Sequence, residues 1–191
     1  MTVMAHDHGG RPYTVEDLEG MPDDGRRYEL IDGTLLVGPA PGARHQRVVA
    51  RLVVVMEQAC PDDLLVFPAP FAVRTSATNE LQPDLLVTRL EDVTEKLLPV
   101  APLLAVEVLS PSTALNDFNS KKAAYERLGV PAYWVIDPRE PKLIAFELDA
   151  AGRYEQVAEV KGEDQFDAVL PFPVRVVPVE LLGTLRDRPL E

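Results

Sequence analysis

Pro83-Asp84 opens one apolar run, and Glu107 sits inside another, Leu103-Leu104-Ala105-Val106-Glu107-Val108-Leu109. Lys121 follows on a segment of helical character, and the intervals are 23 residues from Asp84 to Glu107 and 14 from Glu107 to Lys121. A charged glutamate among apolar neighbours is costly unless it is paired or bound to a metal. Brought together on adjacent strands, two such carboxylates make a hard-oxygen site suited to Mg²⁺ or Mn²⁺. A lysine beside them can orient or help deprotonate a water and stabilise charge on a phosphorane-like transition state. Those are the parts of a metal-dependent phosphodiesterase.

Each residue also has a plainer reading. Asp84 could be a turn residue held by local backbone bonds. Glu107 could face solvent from a half-exposed sheet, although Ala105 and Leu109, on its own face, are apolar. Lys121 could be a solvated helix residue paired with Asp117. Lys122 is the neighbouring candidate, but it points about 100° away around the helix. Tyr125 and Trp134 read as packing residues. His45 reads as a surface residue at a helix start, or as a group that positions substrate or metal. Ser110-Pro111-Ser112-Thr113 invites a nucleophile, but all three histidines precede residue 46, so a serine triad could use only His45. His6 and His8 are expected in an N-terminal tail, and no glycine-rich phosphate loop is present.

The elements that must position these groups follow from the pattern. Thr14 to Met21 reads as a short helix, with Thr14 and Asp17 spaced as a capping box. Arg27 to Val37 reads as a hairpin about Asp32-Gly33, a sequence suited to a type I′ turn. His45 to Cys60 is the clearest helix: Val48, Val49, Leu52, Val53, Met56 and Ala59 recur at helical spacing, and Pro61 stops it. Strands are expected at Leu64–Phe67, Phe71–Arg74, Asp84–Thr88 and Leu103–Leu109. A second helix is expected from Leu115 to Leu128, closed by Gly129. Further strands are expected at Ala132–Ile136, Lys142–Leu148, Tyr154–Val160 and Val174–Val177. This alternation predicts an α/β fold around a mixed sheet.

Composition sets the outer bounds. The 191 residues suit one domain, expected over 13–185, with tails at 1–12 and 186–191. The formal charge of −12 argues against a basic nucleic-acid coat protein, because phosphate binding needs clustered cations. It leaves open an enzyme that meets nucleic acid at one metal-assisted site. Cys60 is the lone cysteine, which removes any intrachain disulfide or cysteine-based zinc site and fits a cytoplasmic location. The longest apolar run, Leu97 to Val106, has ten residues and two prolines, so no membrane partner is expected.

Taken in order, the motifs resemble the Uma-type endonuclease family of the PD-(D/E)xK nuclease superfamily. The matching residues are Tyr28 to Gly33, His45, Gln82 to Asp84, Glu107 to Thr113, Asp117/Lys121/Tyr125 and Gly129 to Pro138. The similarity runs from about Thr14 to Leu182. The superfamily's lysine lies two residues after the acid, a position held here by Leu109. The resemblance therefore implies that the lysine has migrated to the next helix as Lys121. Asp117, Lys121 and Tyr125, spaced by four, would share one helix face.

The resemblance implies a restriction-endonuclease-like α/β fold and cleavage of nucleic-acid phosphodiesters with Mg²⁺ or Mn²⁺. Asp84 and Glu107 are then expected as metal ligands, Lys121 as the group on the attacking water, and Glu29 as a further acid in the catalytic set. The partner is expected to be nucleic acid, DNA first, and a homodimer is expected because two sites most simply cut two strands. Two rivals stand beside this reading: a non-catalytic regulatory or binding protein that keeps the fold, and a phosphodiesterase for a small phosphate compound.

Overall fold

The computed structural model describes residues 2–4, 10–110 and 116–188, with 2–4 and 116–118 described by backbone alone. His6, His8, Ser112, Thr113 and the side chain of Asp117 lie outside the described residues, as does the end of the expected C-terminal tail.

The first third of the chain builds a hairpin and a helix. Strand β1 (Thr2–Met4) is followed by helix α1 (Val15–Glu19), where the Asp17 carboxylate accepts the Thr14 backbone N–H at 2.8 Å. Strands β2 (Arg27–Ile31) and β3 (Thr34–Gly38) pair antiparallel, with Ile31 opposite Thr34. Asp32 and Gly33 both have positive φ, 49° and 73°, as the type I′ turn requires. A Cβ on Gly33 would lie 2.5 Å from the Cβ of Pro12, so this position excludes a side chain on a second ground. Helix α2 (Ala43–Glu57) begins two residues before its expected start and ends three before Cys60. The residue before a proline is disfavoured in the helical region, so the chain unwinds ahead of Pro61.

The middle of the chain supplies β4 (Leu64–Pro68), β5 (Ala72–Ser76), β6 (Asn79–Leu81), β7 (Leu85–Arg89), β8 (Leu97–Leu98) and β9 (Leu104–Val108). Helix α3 (Asn116–Leu128) follows and closes at Gly129, whose φ of 76° marks the left-handed cap. Strands β10 (Ala132–Asp137), β11 (Lys142–Leu148), β12 (Tyr154–Lys161), β13 (Phe166–Ala168) and β14 (Val174–Val176) precede the short helix α4 (Pro178–Leu182).

These strands divide between two six-stranded sheets and a small ribbon. One sheet has the order β1-β3-β2-β6-β5-β8, the other β12-β11-β10-β9-β7-β4, and β13 pairs with β14. Each large sheet is mixed: β5–β8 and β9–β10 are the parallel pairs, and the other neighbours are antiparallel. The expected single central sheet is thus two. The cause is the short chain between β6 and β7, which carries the backbone from one sheet to the other in three residues, Gln82-Pro83-Asp84.

The central strands of the second sheet are buried on both faces. On one, Val48, Val49, Leu52 and Met56 of α2 pack against Leu85, Val87, Leu104, Val106 and Trp134, with Leu181 and Leu182 of α4 completing the layer. On the other, Ala105, Tyr133 and Val135 meet Ala124 and Tyr125 of α3 and Ile31, Leu36 and Leu81 of the first sheet. Strands covered on both sides read as continuous apolar runs, which is how β7, β9 and β10 look in the sequence. Glu107 alternates onto the second of these faces with Ala105, so its carboxylate must enter a packed layer. No helix among the described residues is long and apolar enough to cross a membrane.

Candidate active site

Strand register brings the two acids together. β7 and β9 run antiparallel with Leu85 opposite Val106 and Leu86 opposite Ala105. Continued by one residue, the same register sets Asp84 opposite Glu107, and directly opposed residues share a face. A direct contact fixes the arrangement: Asp84 Oδ2 accepts the backbone N–H of Val108 at 2.8 Å. Asp84 is 2 % exposed and Glu107 9 %.

Lys121 is buried as well, at 4 % exposure, which removes the solvated-lysine reading. Its Nζ donates to both oxygens of Glu107 at 3.0 Å and stands 2.8 Å from Glu29 Oε2. One turn further along α3, the Tyr125 hydroxyl donates to Glu107 Oε1 at 2.9 Å. Spacing by four puts Lys121 and Tyr125 on one helix face, and that face looks at Glu107. Lys122 points elsewhere and caps the Phe146 ring, 3.8 Å from its centroid.

Glu29 points inward. Its strand lies between β3 and β6, and its side chain is 2 % exposed. Glu29 Oε1 accepts the backbone N–H of Gln82 at 2.8 Å, so this acid also ties down the crossover that carries Asp84. His45, in the first turn of α2, is buried rather than at the surface, and its Nε2 lies 3.0 Å from Asp84 Oδ2. Its buried Nδ1 has no hydrogen-bond partner among the described residues.

Two contributors escaped the sequence reading. Arg27 Nη1 donates to Asp84 Oδ1 at 2.8 Å and to the Gln82 carbonyl at 3.1 Å. A signal for it existed: Arg27, Glu29 and Ile31 alternate onto one face of β2, so placing Glu29 in the site brings Arg27 with it. Tyr125 was read as packing, yet it donates to an acid of the site. Trp134, by contrast, is packing alone, edge to face with Phe166 at 5.3 Å.

Arg27, Glu29, His45, Asp84, Glu107 and Lys121 line one cavity of about 80 Å³, together with the Pro39-Ala40-Pro41 loop. Three carboxylates face Arg27 and Lys121, which leaves one net negative charge among these five groups when all three acids are ionised. Burial works against the Asp84 anion, but the His45 hydrogen bond and the Arg27 and Lys121 charges hold its carboxyl well below the usual range. At Glu107 burial prevails. With Asp84 and Glu29 nearby, it pushes this carboxyl up to about 7 against the pull of Lys121. Burial opposes the Lys121 ammonium too, but Glu107, Glu29 and Asp84 outweigh it and raise its pKa. Burial raises the Tyr125 phenol well above its ordinary value, so it remains a donor.

The donor set fits a hard divalent cation. A carboxylate offers about four lone-pair sites. Asp84 spends three on Arg27, His45 and Val108, and Glu107 spends three on Lys121 twice and Tyr125. Asp84 Oδ1 and Glu107 Oε2 therefore each retain acceptor capacity. Among the described residues no three His, Cys, Asp or Glu side chains converge as a complete cage. Mg²⁺ does not need one, since it keeps several waters and is held through one or two carboxylates.

Comparison with known proteins agrees with this architecture. The family model Uma2, described as "Putative restriction endonuclease", matches residues 15–180. Among solved structures, a "putative nuclease belonging to DUF820" from Anabaena variabilis superposes with a TM-score of 0.73 at 19% identity, covering 91% of this chain and 99% of that one. The likeness shows a shared restriction-endonuclease-like fold. No curated protein matches the chain.

Proposed function

Because the chain belongs to the Uma2 family, we propose that it is a nuclease that hydrolyses nucleic-acid phosphodiester bonds with Mg²⁺ or Mn²⁺. The observation that carries the reading is a buried lysine held against Glu107, within the cavity that Asp84 also lines. Asp84 and Glu107 would hold the cation through their remaining lone pairs. When bound, the cation supplies Lewis-acid polarisation of a phosphate oxygen and lowers the pKa of water. Lys121, held by Glu107 and Glu29, places its positive charge beside the attacking water and the charge that develops on phosphorus. Glu29 acts through Lys121 and through the crossover at Gln82. Tyr125 and His45 keep the two acids in place. The burial of the site excludes bulk water from the reacting centre.

The substrate in this proposal is nucleic acid, with DNA first. A homodimer would supply one site for each strand of a duplex, and sedimentation or light scattering would show it. The half-buried lone Cys60 is in keeping with a reducing, cytoplasmic setting. A plasmid-nicking assay with Mg²⁺, Mn²⁺ or EDTA tests the reading, run beside a small chromogenic phosphodiester. Metal-dependent nicking is the expected result. Cleavage of the small ester alone would move the protein to the small-phosphodiesterase class. One observation favours a second reading, a fold-retaining protein that does not cut: every acid of the site already has a cation or N–H donor from the chain itself. Absence of cleavage of DNA and RNA by protein that demonstrably binds metal would establish that reading instead.

A further inference from the structure

Arg27 is the most exposed of the charged groups in the cavity, at 21% of its side chain, against 12% for Glu107 and 5% or less for Asp84, Glu29 and Lys121. Its guanidinium is only half used. Nη1 spends both of its hydrogens, on Asp84 Oδ1 and the Gln82 carbonyl. Nε and Nη2 have no partner among the described residues, which leaves three N–H donors free, two of them side by side on the planar Nε/Nη2 edge at the cavity wall. Such an edge matches two oxygens of a phosphate, a geometry that the point charge of a lysine cannot reproduce.

Asp84 does not need Arg27 merely to be satisfied. His45 and the Val108 N–H already serve its other oxygen. A simple counter-ion would turn its remaining donors to solvent or to a second acid. This one is instead tethered at a single nitrogen, between the crossover carbonyl and an acid of the site. The geometry points to Arg27 as the phosphate-recognition residue: its Nε/Nη2 edge takes the non-bridging oxygens of a nucleic-acid phosphodiester while Nη1 stays on Asp84.

This inference rests on the nuclease reading and adds a coupling to it. With three acids against Arg27 and Lys121, the cavity without a cation repels a phosphate. A divalent cation reverses the sign of the net charge, and the Arg27 edge then has an anion to hold. Phosphate and cation should therefore bind cooperatively, each tightening the other by the same factor.

The probe is thymidine 3′,5′-bisphosphate, titrated by calorimetry into the full-length protein in calcium chloride and in EDTA. The wild type should bind, and more tightly with Ca²⁺. Arg27→Lys keeps the charge beside Asp84 but lacks the planar edge, and should bind roughly tenfold to a hundredfold more weakly. Arg27→Gln should lose at least as much. Arg139→Gln, which removes one exposed charge far along the sequence in the turn after β10, should bind as the wild type does. Melting curves identify any variant that fails to fold, and Arg27→Lys, with its ion pair intact, carries the decision if Arg27→Gln is unstable. Binding by Arg27→Lys within twofold of wild type would overturn the role of Arg27. So would a wild type that does not bind the bisphosphate. Plasmid nicking with the same wild-type preparation separates the two failures: nicking with unaltered Arg27→Lys binding removes this inference alone, and neither nicking nor binding removes the nuclease reading with it.

Discussion

Lys121 Nζ lies 3.0 Å from both oxygens of Glu107, although the two residues belong to different elements. The contact is made because β9 leads into α3 and the helix returns across the face of the sheet on which Glu107 stands. With Glu29 on its other side, the ammonium is buried among acids. A buried charge that loses its partner costs about 3–5 kcal/mol. Lys121→Ala should therefore abolish metal-dependent cleavage and also lower stability in urea melts by roughly that amount. A solvated helix lysine would be truncated at little cost to the fold, and the burial of Lys121 removes that reading. Lys122→Ala should cost about 0.5–1 kcal/mol, its cation–π contact with Phe146, and leave cleavage intact. Equal losses of cleavage in the two variants would detach the lysine role from Lys121.

A cation that binds only the native state should raise the melting temperature. At a hundredfold excess over its dissociation constant the gain is about 2.7 kcal/mol, or roughly 5–10 °C for a chain of this size. Glu107→Gln keeps the shape of the side chain and its Tyr125 contact but removes the charge. It should erase most of the response to Mg²⁺ and Mn²⁺ in differential scanning calorimetry. A response of wild-type size in Glu107→Gln would show that the cation binds elsewhere.

What was legible in the sequence divides along the range of the interaction. The hairpin turn at Asp32-Gly33, the apolar stripe of α2 and the Lys121/Tyr125 spacing are local, and each appears where the pattern put it. Glu107 stood out because an acid inside an apolar run must have a partner. The identity of its partners depends on strand register and sheet order, which are set by contacts between residues far apart in sequence. For that reason Arg27 went unnoticed beside Arg26, and Tyr125 was read as packing. The division into two sheets was also hidden. It rests on β6 and β8, three and two residues long, too short to leave an alternating pattern.

Acidity should control metal binding. Burial pushes the Glu107 carboxyl up to about 7, above its ordinary value, so its contribution to metal-free stability is complete below about 4.5 and is lost as pH rises through 7. Asp84 has the opposite sign: its depressed pKa contributes stability above the ordinary carboxylate range, lost only as the solution becomes strongly acidic. Metal-free protein should therefore weaken between about pH 4.5 and 7. A cation needs the Glu107 anion, so its affinity should rise about tenfold per pH unit up to 7 and then level off. Calorimetric titration of Mn²⁺ across this range, in buffers of different ionisation enthalpy, should show one proton released per cation on the acid side. Flat affinity from pH 5.5 to 8.5 would mean that Glu107 is already ionised throughout or is not a ligand.

Tyr125→Phe offers a finer probe of the same carboxylate. The ring is fully buried and lies 5.3 Å from that of Tyr133, so phenylalanine fills the same space and the packing survives. What is lost is one neutral donor to Glu107 Oε1, worth about 1 kcal/mol. The hydroxyl stabilises the ionised carboxylate, so without it the Glu107 pKa should rise, by somewhat less than one unit on that energy. The acid limb of the cleavage profile and the pH dependence of Mn²⁺ affinity should move together to higher pH, with the plateau rate above the new pKa little changed. A purely structural tyrosine would give another signature: a lower melting temperature with both pH profiles where they were. A fall in the plateau rate without displacement of the limb would assign Tyr125 a direct part in the reaction, beyond setting the ionisation of Glu107.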